Sequence, residues 1–257
     1  MNYIGIDIGS TCAKTVVLNE KKEFIQEFVQ PTGWSSVDTA EEILQKLKLA
    51  GINLSDDPSC CVATGYGRIS VPYADKAVTE ITCHALGAVH LFHQPDLTVI
   101  NIGGQDTKII QIEQGFVKDF IMNDKCAAGT GRFLEVMANT LSLRPNEMFE
   151  LARLGSDTTI SSMCTVFAES EVIGLIGKGE PKENIAYAVV DSTIRKVTAQ
   201  LSRMNGEMST FCLTGGLCEC EYIREALSKK LGKEVISSPD ARYAGAIGAA
   251  LSAMKIR

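Results

Sequence analysis

The same order of apolar and polar positions occurs twice along the chain. An apolar run at residues 3–6 leads into a glycine-rich turn and a β-branched run, and the run at residues 97–100 does the same. Glycine permits the sharp bend, so each succession predicts strand, tight turn and strand. A third strand is predicted after each hairpin, over residues 22–29 and 115–121.

The two hairpins are copies of each other. DIGSTCAKTVVL begins at Asp7 and NIGGQDTKIIQI begins at Asn101, so that Gly9 pairs with Gly103. Helical periodicity follows each unit, over residues 39–49 and 130–141, and a small-residue helix is predicted over 243–255. These related halves predict an α/β protein with two lobes and a cleft, the first lobe formed by residues 1–93 with 242–257 and the second by 94–241.

Composition narrows the possible partners and the compartment. The net charge of -6 argues against nucleic acid, which is bound through an excess of Lys and Arg. No stretch is apolar enough for a membrane span and the start has no leader pattern, so we expect a cytoplasmic protein without a membrane partner. Nine cysteines in a reducing compartment are expected to be buried apolar residues or metal ligands rather than disulfides.

The duplicated turns carry the first candidate chemistry. Glycine-rich turns offer backbone N–H groups to phosphate, Lys14 could neutralise phosphate charge, and Asp7 and Asp106 could hold Mg²⁺ through water. A single glycine-rich hairpin is weak evidence for phosphate binding, because a tight hairpin turn needs glycine whether or not it binds a ligand. Two copies, together with Thr214-Gly215-Gly216 and Ala244-Gly245-Ala246, favour a nucleotide cleft.

Two cysteine segments carry the second candidate chemistry. Cys126 in NDKCAAGTGRFLE and Cys164 in SSMCTVFAESEVI each precede a helical pattern. The N–H groups at a helix N-terminus favour the thiolate, the form that binds iron–sulfur clusters. Two cysteines from each of two copies would supply four ligands. From the residues alone, both cysteines could equally be buried apolar residues. Cys218 and Cys220 could form a metal or redox pair, although one intervening residue gives poor chelating geometry.

The glycine-rich segments resemble the phosphate-1, phosphate-2 and adenosine segments of the sugar kinase/Hsp70/actin superfamily. The resemblance implies a two-lobed actin-like ATPase fold with duplicated ribonuclease H-like lobes and ATP or ADP with Mg²⁺ in the cleft. It implies that Asp7, Asn101 and Asp106 are catalytic. The implied nucleotide contacts are Gly9, Ser10, Thr11, Cys12, Ala13, Lys14, Gly103, Gly104, Gln105, Lys108, Gly215, Gly216, Arg242, Tyr243 and Gly245.

A narrower resemblance is carried by GIDIGST, ATGYGR, NIGGQDTK, NDKCAAGTGRFLEVMA and SSMCTVFAESEVI. These strings resemble the 2-hydroxyacyl-CoA dehydratase activators, a group related to the ATPase subunits of benzoyl-CoA reductase. The resemblance implies a homodimer in which Cys126 and Cys164 bind one [4Fe-4S] cluster. It also implies that ferredoxin or flavodoxin reduces the cluster and that ATP hydrolysis drives the electron to an iron–sulfur acceptor enzyme, where a 2-hydroxyacyl-CoA becomes a ketyl radical and loses water.

Some positions depart from the family pattern. Asn101 stands where Asp is usual, Arg242 stands where Gln is usual, and Leu-Cys-Glu-Cys follows the later Thr-Gly-Gly turn. The first change puts Mg²⁺ affinity in doubt. Three alternatives stay open: the same chemistry delivered to another dehydratase-like or double-cubane iron–sulfur protein, a small-molecule kinase of the same superfamily, or an ATPase switch without redox chemistry.

Overall fold

A computed structural model describes residues 1–54, 58–161, 164–204 and 210–256. The first of its two sheets has five strands in the order β3-β2-β1-β4-β5. Their bounds are Asn2–Ile8 (β1), Cys12–Leu18 (β2), Phe24–Pro31 (β3), Ser59–Thr64 (β4) and Lys76–Ala77 (β5). β1 is antiparallel to β2 and parallel to β4, so it lies in the middle of a mixed sheet.

The second sheet has the order β10-β9-β6-β7-β8. Its strands are Leu97–Ile102 (β6), Thr107–Glu113 (β7), Phe116–Asn123 (β8), Thr210–Gly215 (β9) and Val235–Ile236 (β10). Both sheets place their first strand at the centre, the next two strands on one side and the last two on the other. The duplication predicted from the hairpins is therefore confirmed at the level of sheet topology.

The helices connect these strands. They are Ser36–Leu49 (α1), Glu80–Phe92 (α2), Gly131–Thr140 (α3), Pro145–Ala152 (α4), Thr165–Gly177 (α5), Lys182–Leu201 (α6), Glu221–Leu231 (α7) and Ala244–Ala253 (α8). The three helices predicted from periodicity are confirmed as α1, α3 and α8, with ends shifted by a few residues. Within the part of the chain that the structure describes, no helix is both long and apolar enough to cross a membrane.

The chain forms two compact units. The first comprises Met1–Val99, Ile110–Lys118 and Asp240–Arg257, and the second comprises Ile100–Ile109 and Asp119–Pro239. In the second unit, residues of α3, α4, α6 and α7 pack with those of β6 and β9 into one apolar core. The lobe limits drawn from the sequence, 1–93 with 242–257 and 94–241, remain a proposal.

In the first unit, α8 packs at very short range against β1 and α2. Three glycines permit this approach, because a Cβ atom on any of them would collide with backbone across the contact. Gly5 of β1 meets the Ala246 carbonyl, Gly87 of α2 meets the Ala244 carbonyl, and Gly248 of α8 meets the Cys83 carbonyl. The C-terminal helix is thereby locked against the strand that leads into the first glycine-rich turn.

Candidate nucleotide and iron–sulfur sites

The first glycine-rich turn joins β1 to β2, and its carbonyl groups are used within the chain. The Thr32 hydroxyl donates to the Gly9 carbonyl at 2.7 Å, and the Thr32 N–H donates to the Thr11 carbonyl at 2.9 Å. The Gly9 N–H closes the turn on the Cys12 carbonyl at 3.1 Å. Among the described residues, the N–H groups of Ser10 and Thr11 have no acceptor. The turn therefore offers two backbone donors to an anion.

Asp7 lies near the end of β1, just before this turn, and is 5% exposed. A Cβ atom on Gly65 or on Gly245 would collide with its carboxylate, so the two glycines leave the room that the group occupies. Lys14 stands opposite Asp7 in the antiparallel register of β1 and β2, which puts both side chains on one face. Lys14 forms no salt bridge within the described residues, and its charge is available to a ligand.

The second glycine-rich turn joins β6 to β7 and repeats the hydrogen bonding of the first. The Gly103 N–H donates to the Asp106 carbonyl at 2.9 Å. The N–H groups of Gly104 and Gln105 have no acceptor among the residues described. A Cβ atom on Gly103 would collide with the Asp106 carboxylate. This turn, too, offers its two central N–H groups.

Lys108 differs from its counterpart Lys14. Its Nζ lies 2.6 Å from Oδ2 of Asp106, with side-chain exposures of 4% and 13%. In this state the Lys108 charge compensates Asp106. An ammonium bound to a carboxylate in a largely buried position contributes less to an incoming anion than a free one does.

The second turn is also hydrogen-bonded to the start of α3. The Gly131 N–H donates to the Gly103 carbonyl at 2.9 Å, and the Arg132 N–H donates to the Gly104 carbonyl at 2.8 Å. A helix N-terminus leaves its first N–H groups without intrahelical partners, and here two of them bind the turn. A displacement of this turn would therefore be transmitted directly to α3.

Asn101 is buried on β6, at 2% exposure, and connects this strand to β9. Its Nδ2 donates to the Thr214 hydroxyl at 3.0 Å. Gly215, with φ +89°, follows at once, and a Cβ atom there would lie 2.9 Å from the same Nδ2. The amide at this position thus has a structural contact next to the Thr-Gly-Gly turn, where Gly216 is exposed.

Thr214→Val should lower the free energy of unfolding by about 1–3 kcal/mol, because it leaves the buried Asn101 N–H without an acceptor. Thr193→Val in α6 is the matched control, since that hydroxyl is buried and has no partner among the described residues. Chemical denaturation of the iron-free chain measures both. Equal stability of the two variants would contradict the Asn101–Thr214 bond.

The remaining predicted nucleotide residues have mixed environments. Arg242 and Tyr243 belong to a 3₁₀ turn, Pro239–Tyr243. Tyr243 is 8% exposed and packs with Val16 and Leu18, and Ala13 is also buried in an apolar cluster. The side chains of Tyr243 and Ala13 therefore pack in the apolar core. Cys12, at the start of β2, is only half-buried.

Cys126 is half-buried in the segment between β8 and α3. Asn123 Nδ2 donates to the carbonyls of Cys126, at 2.8 Å, and Ala128, at 3.3 Å. Gly129 has φ +85°, and its carbonyl accepts a hydrogen bond from the Thr107 hydroxyl at 2.8 Å. Since Thr107 directly follows the second glycine-rich turn, the segment that carries Cys126 is fixed to that turn.

Cys164 is exposed and is the N-cap residue of α5. Its carbonyl accepts the Ala168 N–H at 2.9 Å, and its own side chain makes no capping hydrogen bond within the described residues. The Thr165 hydroxyl is buried without a hydrogen-bond partner among the described residues. The free N–H groups at this helix N-terminus favour an anionic group held there.

The surface of α5 is unusually apolar. Only Ala168 and Val172 are buried, although most residues of the helix are apolar. Its large exposed side chains are Val166, Phe167, Ile173 and Ile176. A helix of this composition is normally buried, and an exposed apolar face of this kind marks an interaction surface.

The other cysteines fit structural roles. Burial raises the pKa of Cys83 to about 12 and raises the pKa values of Cys61 and Cys212 as well, which keeps these thiols protonated. Burial also raises the pKa of Cys220, the N-cap residue of α7. Within the described ranges, no group of three or more His, Cys, Asp or Glu residues could hold a metal ion in one chain.

Three contributors to these sites were missed by the sequence analysis. Thr32 supports the first turn, Thr107 holds the Cys126 segment, and Asn123 shapes that segment. Each acts through hydrogen bonds to backbone carbonyls, and such contacts have no sequence motif.

Two sheets of the same order, each with a glycine-rich turn after its first strand, define a two-lobed α/β protein with the actin-like fold. A solved glucokinase of the ROK family from Streptomyces griseus shares this fold, with a TM-score of 0.63 at 16% identity. Residues 4–253 match the BadF/BadG/BcrA/BcrD ATPase family, and the chain belongs to that family.

Relatives and solved structures of this family resemble the whole chain. The (R)-2-hydroxyglutaryl-CoA dehydratase activating ATPase of Acidaminococcus fermentans is 43% identical over 98% of this chain and 96% of its own length. The crystal structure of component A of that dehydratase has a TM-score of 0.91 at 41% identity, covering 100% of this chain and 98% of its own. The activator of 2-hydroxyisocaproyl-CoA dehydratase from Clostridium difficile, solved with bound ADPNP, has a TM-score of 0.89 at 33% identity, covering 100% and 95%.

Proposed function

We propose that this protein is an ATP-dependent one-electron donor that activates a partner enzyme. The observation that carries the proposal is the hydrogen bonding between the second glycine-rich turn and the first N–H groups of α3, the helix that follows Cys126. Through these bonds, a nucleotide bound to the turn would be mechanically linked to an iron–sulfur group bound to the cysteine. An effector can bias a distant site only through such differential contacts.

The two turns would bind ATP or ADP with Mg²⁺. Their central N–H groups have no acceptor among the described residues, and Lys14 supplies positive charge. Asp7 and Asp106, each adjacent to a turn, would hold Mg²⁺ through water and take part in hydrolysis, with Asn101 as a neutral neighbour. The nucleotide contacts proposed from the sequence, including Arg242 and Gly245, stay part of this proposal. ADPNP in the related C. difficile activator supports it.

Cys126 and Cys164 would hold one [4Fe-4S] cluster between two copies of the chain. The donor set fits that group: each copy has Cys164 at the N-cap of α5 and Cys126 in the segment ahead of α3, and the buried Thr165 hydroxyl lacks a partner among the described residues. The cluster, when bound, would accept and release one electron. A second copy would also cover the exposed apolar face of α5, which supports a homodimer.

The acceptor would be an iron–sulfur enzyme of the 2-hydroxyacyl-CoA dehydratase type, and the donor a ferredoxin or flavodoxin. Relatives over the whole chain activate such dehydratases, which supports the acceptor class. A dehydratase-like or double-cubane iron–sulfur protein would use the same donor chemistry.

Anaerobic purification with iron and sulfide analysis, followed by EPR of the dithionite-reduced protein, tests this function. We expect about four irons per dimer, as a four-thiolate cluster requires, and a reduced-cluster signal whose shape changes when ATP and Mg²⁺ are added. A colourless, iron-free monomer after anaerobic reconstitution, with phosphate transfer to a small molecule, would instead identify a kinase.

A further inference from the structure

Helix α6 lies beneath both cysteine segments. A cavity of about 400 Å³ is lined by Ala128 and Gly129 of the Cys126 segment, by residues 159–161 ahead of Cys164, and by α6. The α6 residues that line it include Arg195 and Lys196. Two cationic side chains thus lie where the two proposed ligand segments approach each other.

Arg195 holds the segment ahead of Cys164. Its Nη2 donates to the carbonyl of the buried Ile160 at 2.8 Å. Its Nη1 lies 3.3 Å from the Asp191 carboxylate one turn earlier on α6, which fixes the guanidinium and partly neutralises it. The planar guanidinium can make both contacts at once, which a lysine ammonium on a flexible stem cannot reproduce.

Lys196 packs against the segment after Cys126. A Cβ atom on Gly129 would lie 2.8 Å from Lys196 Cγ, so the missing side chain at Gly129 makes room for the lysine stem. Lys196 is half-buried and forms no salt bridge with the residues that the structure describes. Its charge is therefore not compensated, in contrast to that of Arg195.

We propose that α6 positions and tunes the cluster that the function above requires, with Arg195 fixing the Cys164 segment and Lys196 stabilising the reduced state by its charge. The inference rests on the proposed function. Reduction adds one negative charge to the cluster, and an uncompensated cation nearby favours the more negative state and raises the reduction potential. Arg195 acts through the Cys164 segment and Lys196 through its electrostatic field, so both are positioning residues and neither is a cluster ligand.

The test for Lys196 is an anaerobic redox titration of the reconstituted dimer. Lys196→Met keeps the packing of the stem and should shift the midpoint potential to more negative values, whereas Lys196→Arg should restore it. Lys182→Met is the matched control, because Lys182 is exposed on the same helix, about 21 Å away along its axis. A Lys196→Met midpoint equal to that of Lys182→Met would overturn the charge effect.

Arg195 is tested in the iron-free chain by amide hydrogen exchange. The Ser161 N–H donates to the Glu171 carboxylate at 3.0 Å and reports on the segment that Arg195 holds. Arg195→Lys should speed its exchange about fivefold, the effect of losing one hydrogen bond, and should leave the midpoint potential close to that of the wild type. Unchanged exchange would overturn the positioning role. If the wild type takes up no iron, the proposed function fails, and the exchange experiment still decides the role of Arg195.

Discussion

Replacing Cys164 with serine is expected to reduce the iron content from about four per dimer to nearly zero. By two-fold symmetry, each substitution removes two of the four thiolates that a [4Fe-4S] cluster needs. Serine is a favourable N-cap residue, so α5 should still begin where it does. Iron analysis and EPR after anaerobic reconstitution measure the loss, and Cys126→Ser should give the same result.

The matched control is Cys220→Ser. Cys220 is also a helix N-cap residue, but burial raises its pKa and we assign it no ligand role. This variant should keep the full iron content, and all three variants should bind ADP with Mg²⁺ as the wild type does, because the proposed nucleotide contacts lie elsewhere. Retention of the cluster by Cys164→Ser would refute the ligand assignment.

The second large effect is expected in the contact of α8 with α2. Gly248→Ala places a methyl group against the Cys83 backbone, which has no flexible side-chain end that could move away. Overpacking of this kind costs typically 1–3 kcal/mol and occasionally more. We expect a net loss of about 2–3 kcal/mol, or a melting temperature lower by roughly 5–10 °C for a chain of this size.

Gly174→Ala provides the same chemical change in α5, where a Cβ atom would meet nothing within 4 Å. Helix propensity then acts alone, and this variant should gain up to about 1 kcal/mol. Thermal and chemical unfolding of the iron-free chain compare the two. Shifts of the same sign would show that α8 does not approach α2 as closely as described.

The structure shows that the two equivalent lysines of the duplicated hairpins have different electrostatic environments. The sequence pairs Lys14 with Lys108 and suggests one role for both. In the fold, Lys108 is bound to Asp106, whereas Lys14 has no salt bridge within the described residues. Equivalent positions in a repeat thus have different electrostatic environments, because the residue two positions earlier is Asp106 in one copy and Cys12 in the other.

The sequence by itself determined the fold class and the cysteines to be tested. Apolar runs separated by glycine turns specify strands locally, and their repetition requires two sheets of like order. The helix start after Thr130 is likewise local, since it depends on the apolar period of the residues that follow.

Tertiary structure alone decided which groups build the sites. Thr32, Thr107 and Arg195 act on carbonyls far away in the chain, and hydrogen bonds to a backbone carbonyl leave no residue pattern at either end. The close contact of Gly248 with Cys83 could not be predicted either. A glycine in a helix has the same sequence pattern whether it is exposed or packed against a neighbouring helix. For Cys126 and Cys164, the sequence supplied the identity of the residues. The fold added the physical link, because the turn that would bind phosphate is hydrogen-bonded to the helix that follows Cys126.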